Sequence, residues 1–135
     1  LTDKIMNLES PKVTVSKSAQ EIFDLLSDVK KIKKLMPDNI AKFEVIGDDA
    51  FIFGLKGMPE IKLKMKEKVA PNKVVLGAAS DKLPFTLTAS IDAVSDNNSD
   101  VKLDFVGEFN PMMAMMIKGP IGKFIETLAT NMTKL

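Results

Sequence analysis

Between residues 60 and 69 the chain reads EIKLKMKEKV. Ile61, Leu63, Met65 and Val69 share the odd positions, and Lys62, Lys64, Lys66 and Lys68 the even ones. A period of two sends the first set to one face of a strand and the lysines to the other. One face is therefore wet, and the apolar face needs a cover. The same reading predicts strands over 42–47, 50–55, 60–69, 73–79, 84–95 and 100–109. Turn-forming residues separate several of them: Asp48-Asp49, Pro71-Asn72 and the stretch from Ser95 to Asp100. Connections this short make successive strands antiparallel neighbours.

Before this meander, residues 11–16 (PKVTVS) alternate apolar and polar and predict a first strand, with a start as early as Lys4. Ser18-Ala-Gln-Glu21 is a capping box, in which the Ser18 side chain accepts from the Glu21 N–H and Glu21 reaches back. Ile22, Phe23, Leu25 and Leu26 then form one helical face. Ser27 or Asp28 caps a second short helix carrying Val29, Ile32, Leu35 and Met36, and Pro37 ends it.

After the meander, Ile121, Phe124, Ile125, Leu128, Met132 and Leu135 recur on one helical stripe. This long helix is the predicted cover. The expected fold is α+β: a curved seven-strand antiparallel sheet wrapped around a long C-terminal helix, with two short helices after the first strand. Residues 1–135 are expected to form a single domain, since a chain this long supports one core.

Composition narrows the chemistry. The chain contains no His, Tyr, Trp, Cys or Arg, and all 19 basic residues are lysine. Histidine acid/base chemistry, thiol nucleophiles, Ser-His triads and His or Cys metal sites are thereby excluded. No guanidinium is present to grip phosphate or carboxylate. No cofactor and no metal are expected. A net charge of +1, without Arg and with Phe as the only aromatic, argues against nucleic acid as a partner. The absence of cysteine fits a reducing compartment, and the N-terminal LTDKIMNLES does not have the pattern of a secretory signal, so a cytoplasmic location is expected. No apolar run is long enough to span a bilayer.

Two stretches carry a family resemblance: VTVSKSAQEIFDLLSDVKKIKKLMP (13–37) and GPIGKFIETLATNMTKL (119–135). Together with the element order, they resemble the SRPBCC/START-type helix-grip superfamily, which includes polyketide cyclases and coenzyme Q-binding proteins. The resemblance spans nearly the whole chain. It implies a cavity between sheet and helix that holds an apolar small molecule, with a mouth between the long helix and the sheet loops. The chain lacks the His, Tyr and Arg that enzymatic branches commonly use.

The inward phases give the expected ligand-binding wall: Met65, Leu76, Phe85, Leu87, Ile91, Leu103 and Phe105 from the sheet, and Met113, Met116, Ile117, Phe124 and Leu128 from the helix. The mouth is expected where Met58, Leu83 and Met112 sit, because alternate meander loops share an end and these tips are apolar. Met112, Met113, Met115 and Met116 spread around the helix start, as a core plug or a ligand-facing gate. Gly119-Pro120 favours a kink or break after them.

Glu67 falls in the inward phase of its strand. There it would be a weak catalytic candidate, as a general base beside the cavity; a β-bulge would instead turn it to solvent. The function expected is non-catalytic binding or transport of an apolar or amphipathic molecule: a lipid, an isoprenoid quinone or a polyketide-like compound. The alternatives are a cyclase/dehydratase-type enzyme using Glu67 or a lysine, and an interaction module docking through the methionines. A transient membrane contact and the oligomeric state are left open.

Overall fold

The computed structural model describes residues 4–38, 40–56, 60–78 and 85–135. Strands β1 (Lys4–Glu9) and β2 (Val13–Val15) are followed by helices α1 (Ala19–Leu26) and α2 (Val29–Ile32) and a 3-10 turn at Lys33–Leu35. The meander comprises β3 (Ile40–Ile46), β4 (Ala50–Leu55), β5 (Ile61–Val69), β6 (Lys73–Ala78), β7 (Phe85–Ser95) and β8 (Asn98–Phe109). The chain then enters α3 (Pro111–Met132). One antiparallel sheet runs in the order β1-β8-β7-β6-β5-β4-β3, with β2 beside β1 on the same side of β8.

The first strand is split, where the sequence suggested one. Ser10 explains the break. Its N–H donates to the Leu103 carbonyl at 2.8 Å, and its hydroxyl oxygen accepts from the Leu103 N–H at 2.9 Å. One buried serine thus completes the ladder while the chain steps outward to Pro11 and re-pairs at Val13. At the same end of the sheet as β2, the Ser99 hydroxyl donates to the Lys17 carbonyl at 2.9 Å and ties the start of α1 to β8.

The helix starts follow local chemistry. Ser18 and Glu21 form the capping box, and the Asp28 carboxylate accepts from the Lys30 N–H at 2.9 Å. At the start of α3 the Asn110 side chain accepts from the Met113 N–H at 2.8 Å, and Pro111 occupies the first turn, where its missing N–H costs nothing. The expected break at Gly119-Pro120 is absent: α3 is continuous through Pro120. The local cost of proline is offset by a single apolar stripe. Ile117, Ile121, Phe124, Ile125, Leu128, Ala129 and Met132 are all buried against the concave face of the sheet. Leu135 lies beyond the helix and is 36% exposed, so the stripe ends at Met132.

The concave face supplies Phe51, Phe53, Leu63, Val74, Leu76, Leu87, Leu103 and Phe105, all buried. α1, α2 and the 3-10 turn close the far side, where the Asn131 amide donates to the Leu35 carbonyl at 2.8 Å. Because successive strands are antiparallel, the end of β4, the start of β5, the end of β6, the start of β7 and the passage from β8 to α3 share one end of the sheet.

Two predictions follow from backbone crowding and from the split strand. A Cβ on Gly107 would meet Phe85 Cβ and a Phe109 ring carbon at 2.7 Å, whereas one on Gly119 meets nothing within 4 Å. In urea unfolding, Gly107→Ala is expected to lose about 1–3 kcal/mol by overpacking. Gly122→Ala, whose added Cβ also meets nothing within 4 Å, is expected to gain about 0.5–1 kcal/mol as a helix-interior replacement. Ser10→Ala leaves the Leu103 N–H buried without its acceptor and is expected to cost about 1–3 kcal/mol in the same assay.

Candidate functional site

Among the described residues, the space between sheet and helix is divided into small voids. Two apolar voids lie between the described residues. The first is about 10 Å³ and is walled by Phe53, Ile61, Leu63, Phe85, Leu87, Phe105, Ile121, Phe124 and Ile125. The second is about 40 Å³ and is walled by Leu26, Ile32, Leu35, Val74, Leu76, Leu87, Ala89, Leu103, Leu128 and Met132. Leu87 belongs to both walls, so one side chain links the two spaces. No ionisable side chain lines either void.

Aromatic stacking holds the first wall. Phe124 of α3 lies on Phe53 of β4 with centroids 4.6 Å apart and rings within 6° of parallel. Phe105 packs on Phe85 at 5.3 Å and on Phe109 at 6.1 Å, toward the end where β8 delivers the chain to α3. Such pairs add about 0.5–1.5 kcal/mol each beyond the area they bury.

Outside this wall a groove of about 340 Å³ runs between α3, the end of β4 and the Pro37-Asp38 turn. Leu55 and Phe124 are its buried apolar lining, and Asp38, Lys56, Lys123 and Thr127 contribute its polar lining. Phe124 therefore lines the groove on one side and the inner void on the other. Further along α3 a second, more polar depression of about 260 Å³ is lined by Glu126, Thr130, Asn131 and Lys134.

The site residues named from the sequence fall into four groups. Phe85, Leu87, Phe105 and Phe124 meet around the first void, and Leu76, Leu87, Leu103 and Leu128 around the second. Ile91 and Ile117 are buried, and Met65 and Met113 are half-buried against the core, but they line neither void. Met116, expected in the wall, is 54% exposed and on the outer surface, and Met112, expected at the mouth, is 75% exposed. Met58 and Leu83 lie outside the described residues. Sequence reasoning passed over Phe53 and Val74 as wall residues. The alternation of Phe51, Phe53 and Leu55 along β4 was the signal for the first.

Glu67 is not at the cavity. The ladder between β5 and β6 shifts register between Met65 and Glu67, so Met65 faces Leu76 while Glu67 faces Val75. A bulge at Lys66 inverts the alternation, and the Glu67 side chain is 55% exposed, 3.7 Å from the Lys73 ammonium. The same inversion removes Lys68 from the outward phase of Lys62 and Lys64, opposite Val74. The Lys66 stem crosses the outer face at Gly77, where a Cβ would meet it at 2.7 Å. Among the described residues no three carboxylates converge as a metal site would require, and the buried polar side chains, Ser10 and Ser99, are both engaged with backbone.

No family model and no curated protein matches the chain. Solved structures do. Norcoclaurine synthase from Thalictrum flavum superposes with a TM-score of 0.75 at 15% identity, covering 98% of this chain and 87% of that one. The same enzyme in complex with dopamine and hydroxybenzaldehyde gives 0.72 at 15% identity, covering 98% and 87%. A START superfamily protein from Mycobacterium smegmatis gives 0.71 at 15% identity, covering 96% and 94%. Identity this low speaks to architecture alone, and the superpositions span nearly the whole chain. The chain has the SRPBCC/START-type helix-grip fold.

Proposed function

We propose that residues 1–135 form one ligand-binding unit. It holds an apolar or amphipathic small molecule between the sheet and α3 and releases it unchanged. A lipid, an isoprenoid quinone or a polyketide-like compound suits the wall. The observation that carries this reading is the wholly apolar lining of two voids that share Leu87, one of them separated from an open groove by Phe124. A structural neighbour solved with dopamine and hydroxybenzaldehyde supports small-molecule binding as a use of this fold.

Volume decides how binding proceeds. Pockets for drug-sized ligands occupy about 300–1,000 Å³. Voids of about 10 and 40 Å³ hold at most a few waters. A larger ligand held between the described residues displaces the wall side chains Leu87 and Phe124, and the half-buried Met65 and Met113 beside the core can shift to accommodate them. Methionine tolerates such rearrangement because it is unbranched. The driving force is apolar area at about 25 cal/mol per Å², less the cost of moving the wall. Catalysis is the weaker reading, because the wall offers no acid or base and Glu67 is on the outer face.

Native mass spectrometry of protein purified from its own host, followed by organic extraction, is expected to show a bound apolar molecule. In vitro, 1-anilinonaphthalene-8-sulfonate is expected to saturate the folded chain. Phe124→Leu, which shortens the divider, is expected to change its affinity several-fold, while Glu67→Gln leaves it unaltered. The larger Phe124→Ala is expected to cost about 3–5 kcal/mol of stability. A folded wild type that carries no extractable ligand and takes up no probe contradicts the proposal.

A further inference from the structure

The outward face of α3 changes character half-way along. In its second half it carries Lys123, Glu126 and Thr130, all exposed. In its first two turns it carries Met112, Met115 and Met116, which are 75%, 84% and 54% exposed. Gly119 follows on the same side, where a side chain would meet nothing within 4 Å. At about 100° per residue, positions 112, 115, 116, 119 and 123 fall within an arc of about 100°, opposite the buried Ile117 and Ile121. The core does not require these methionines, since the stripe that seals the sheet lies on the other side of the helix.

We propose that this face docks reversibly on a membrane surface carrying anionic lipid. Charge favours that occupant. From Phe109 to Ile125 the chain has no carboxylate, and its ionised side chains there are Lys118 and Lys123, both exposed. A helix with an apolar face bordered by lysine lies in the plane of the interface, its apolar side among the acyl chains and its lysines on the headgroups. Area and charge disfavour a second copy of this chain. Three methionines offer far less than the roughly 800 Å² that each partner gives to a stable dimer, and symmetric pairing of the face would bring Lys118 and Lys123 of two copies together. The contact is peripheral: among the described residues no helix is long and apolar enough to cross a membrane. The proposal does not depend on the cavity holding a ligand.

Co-sedimentation of the full chain with vesicles tests it. The wild type is expected to pellet with vesicles of phosphatidylcholine mixed with phosphatidylglycerol, and less so as salt is raised. Joint replacement Met112→Ser, Met115→Ser and Met116→Ser is expected to weaken that binding by at least about tenfold, because even partial burial of three methionines exceeds that factor. Lys118→Glu is expected to weaken it on anionic vesicles. These side chains are exposed, so the thermal melt of each variant should match the wild type and exclude misfolding as the cause. Wild type that stays in the supernatant with anionic vesicles overturns the proposal, as does a triple variant that pellets equally well. A concentration-dependent dimer that the triple variant abolishes, with no vesicle binding, assigns the face to a second copy instead.

Discussion

Everything in this molecule depends on one packing contact: the apolar stripe of α3 against the concave face of the sheet. Phe124 stacked on Phe53 at 4.6 Å stands at its centre. Without the helix the inner positions of β4 to β8 would face water. Without the sheet a helix containing Pro120 and two glycines, Gly119 and Gly122, would have little reason to remain continuous. Each element is made viable by the other, and α1, α2 and the 3-10 turn complete the seal beside Leu128 and Met132.

That interdependence also shapes the candidate site. The space a ligand would need is the space the packing occupies. Among the described residues the wall is uniformly apolar and interrupted by voids at Leu87 and Phe124. Filled cores are costly to open when their walls are rigid, and less so when the displaced side chains can take other rotamers against apolar surroundings. The stacked Phe124 and Phe53 rings therefore serve two ends. They close the core, and they form the partition between the core and the groove at Leu55, Lys56 and Lys123.

Strand order, the two N-terminal helices and the long helix were legible in the sequence because period-two and helical spacings are long and regular there. The Ser18-Glu21 cap was legible because its chemistry is local. Three features were not. The bulge at Lys66 leaves an alternating sequence looking regular while it exchanges the two faces of β5, which is why Glu67 and Lys68 changed sides. The continuity of α3 through Pro120 is a tertiary result, since the local preference for a break gives way to the stripe from Ile117 to Met132. The methionines at 112, 115 and 116 were ambiguous because their hydrophobicity fits core, ligand wall and surface contact alike. Only their position opposite the buried stripe separates these roles.

In the proposed binding mode the grip opens around an apolar guest rather than holding it on the outside. Methyl-resolved NMR during titration with a soluble short-chain fatty acid tests this most directly. Methyl signals of Leu76, Leu87, Leu103, Ile121 and Leu128 are expected to shift together and saturate, while those of surface positions such as Val94 stay fixed. Saturation confined to exposed methyls, or a core whose signals never move, would contradict it.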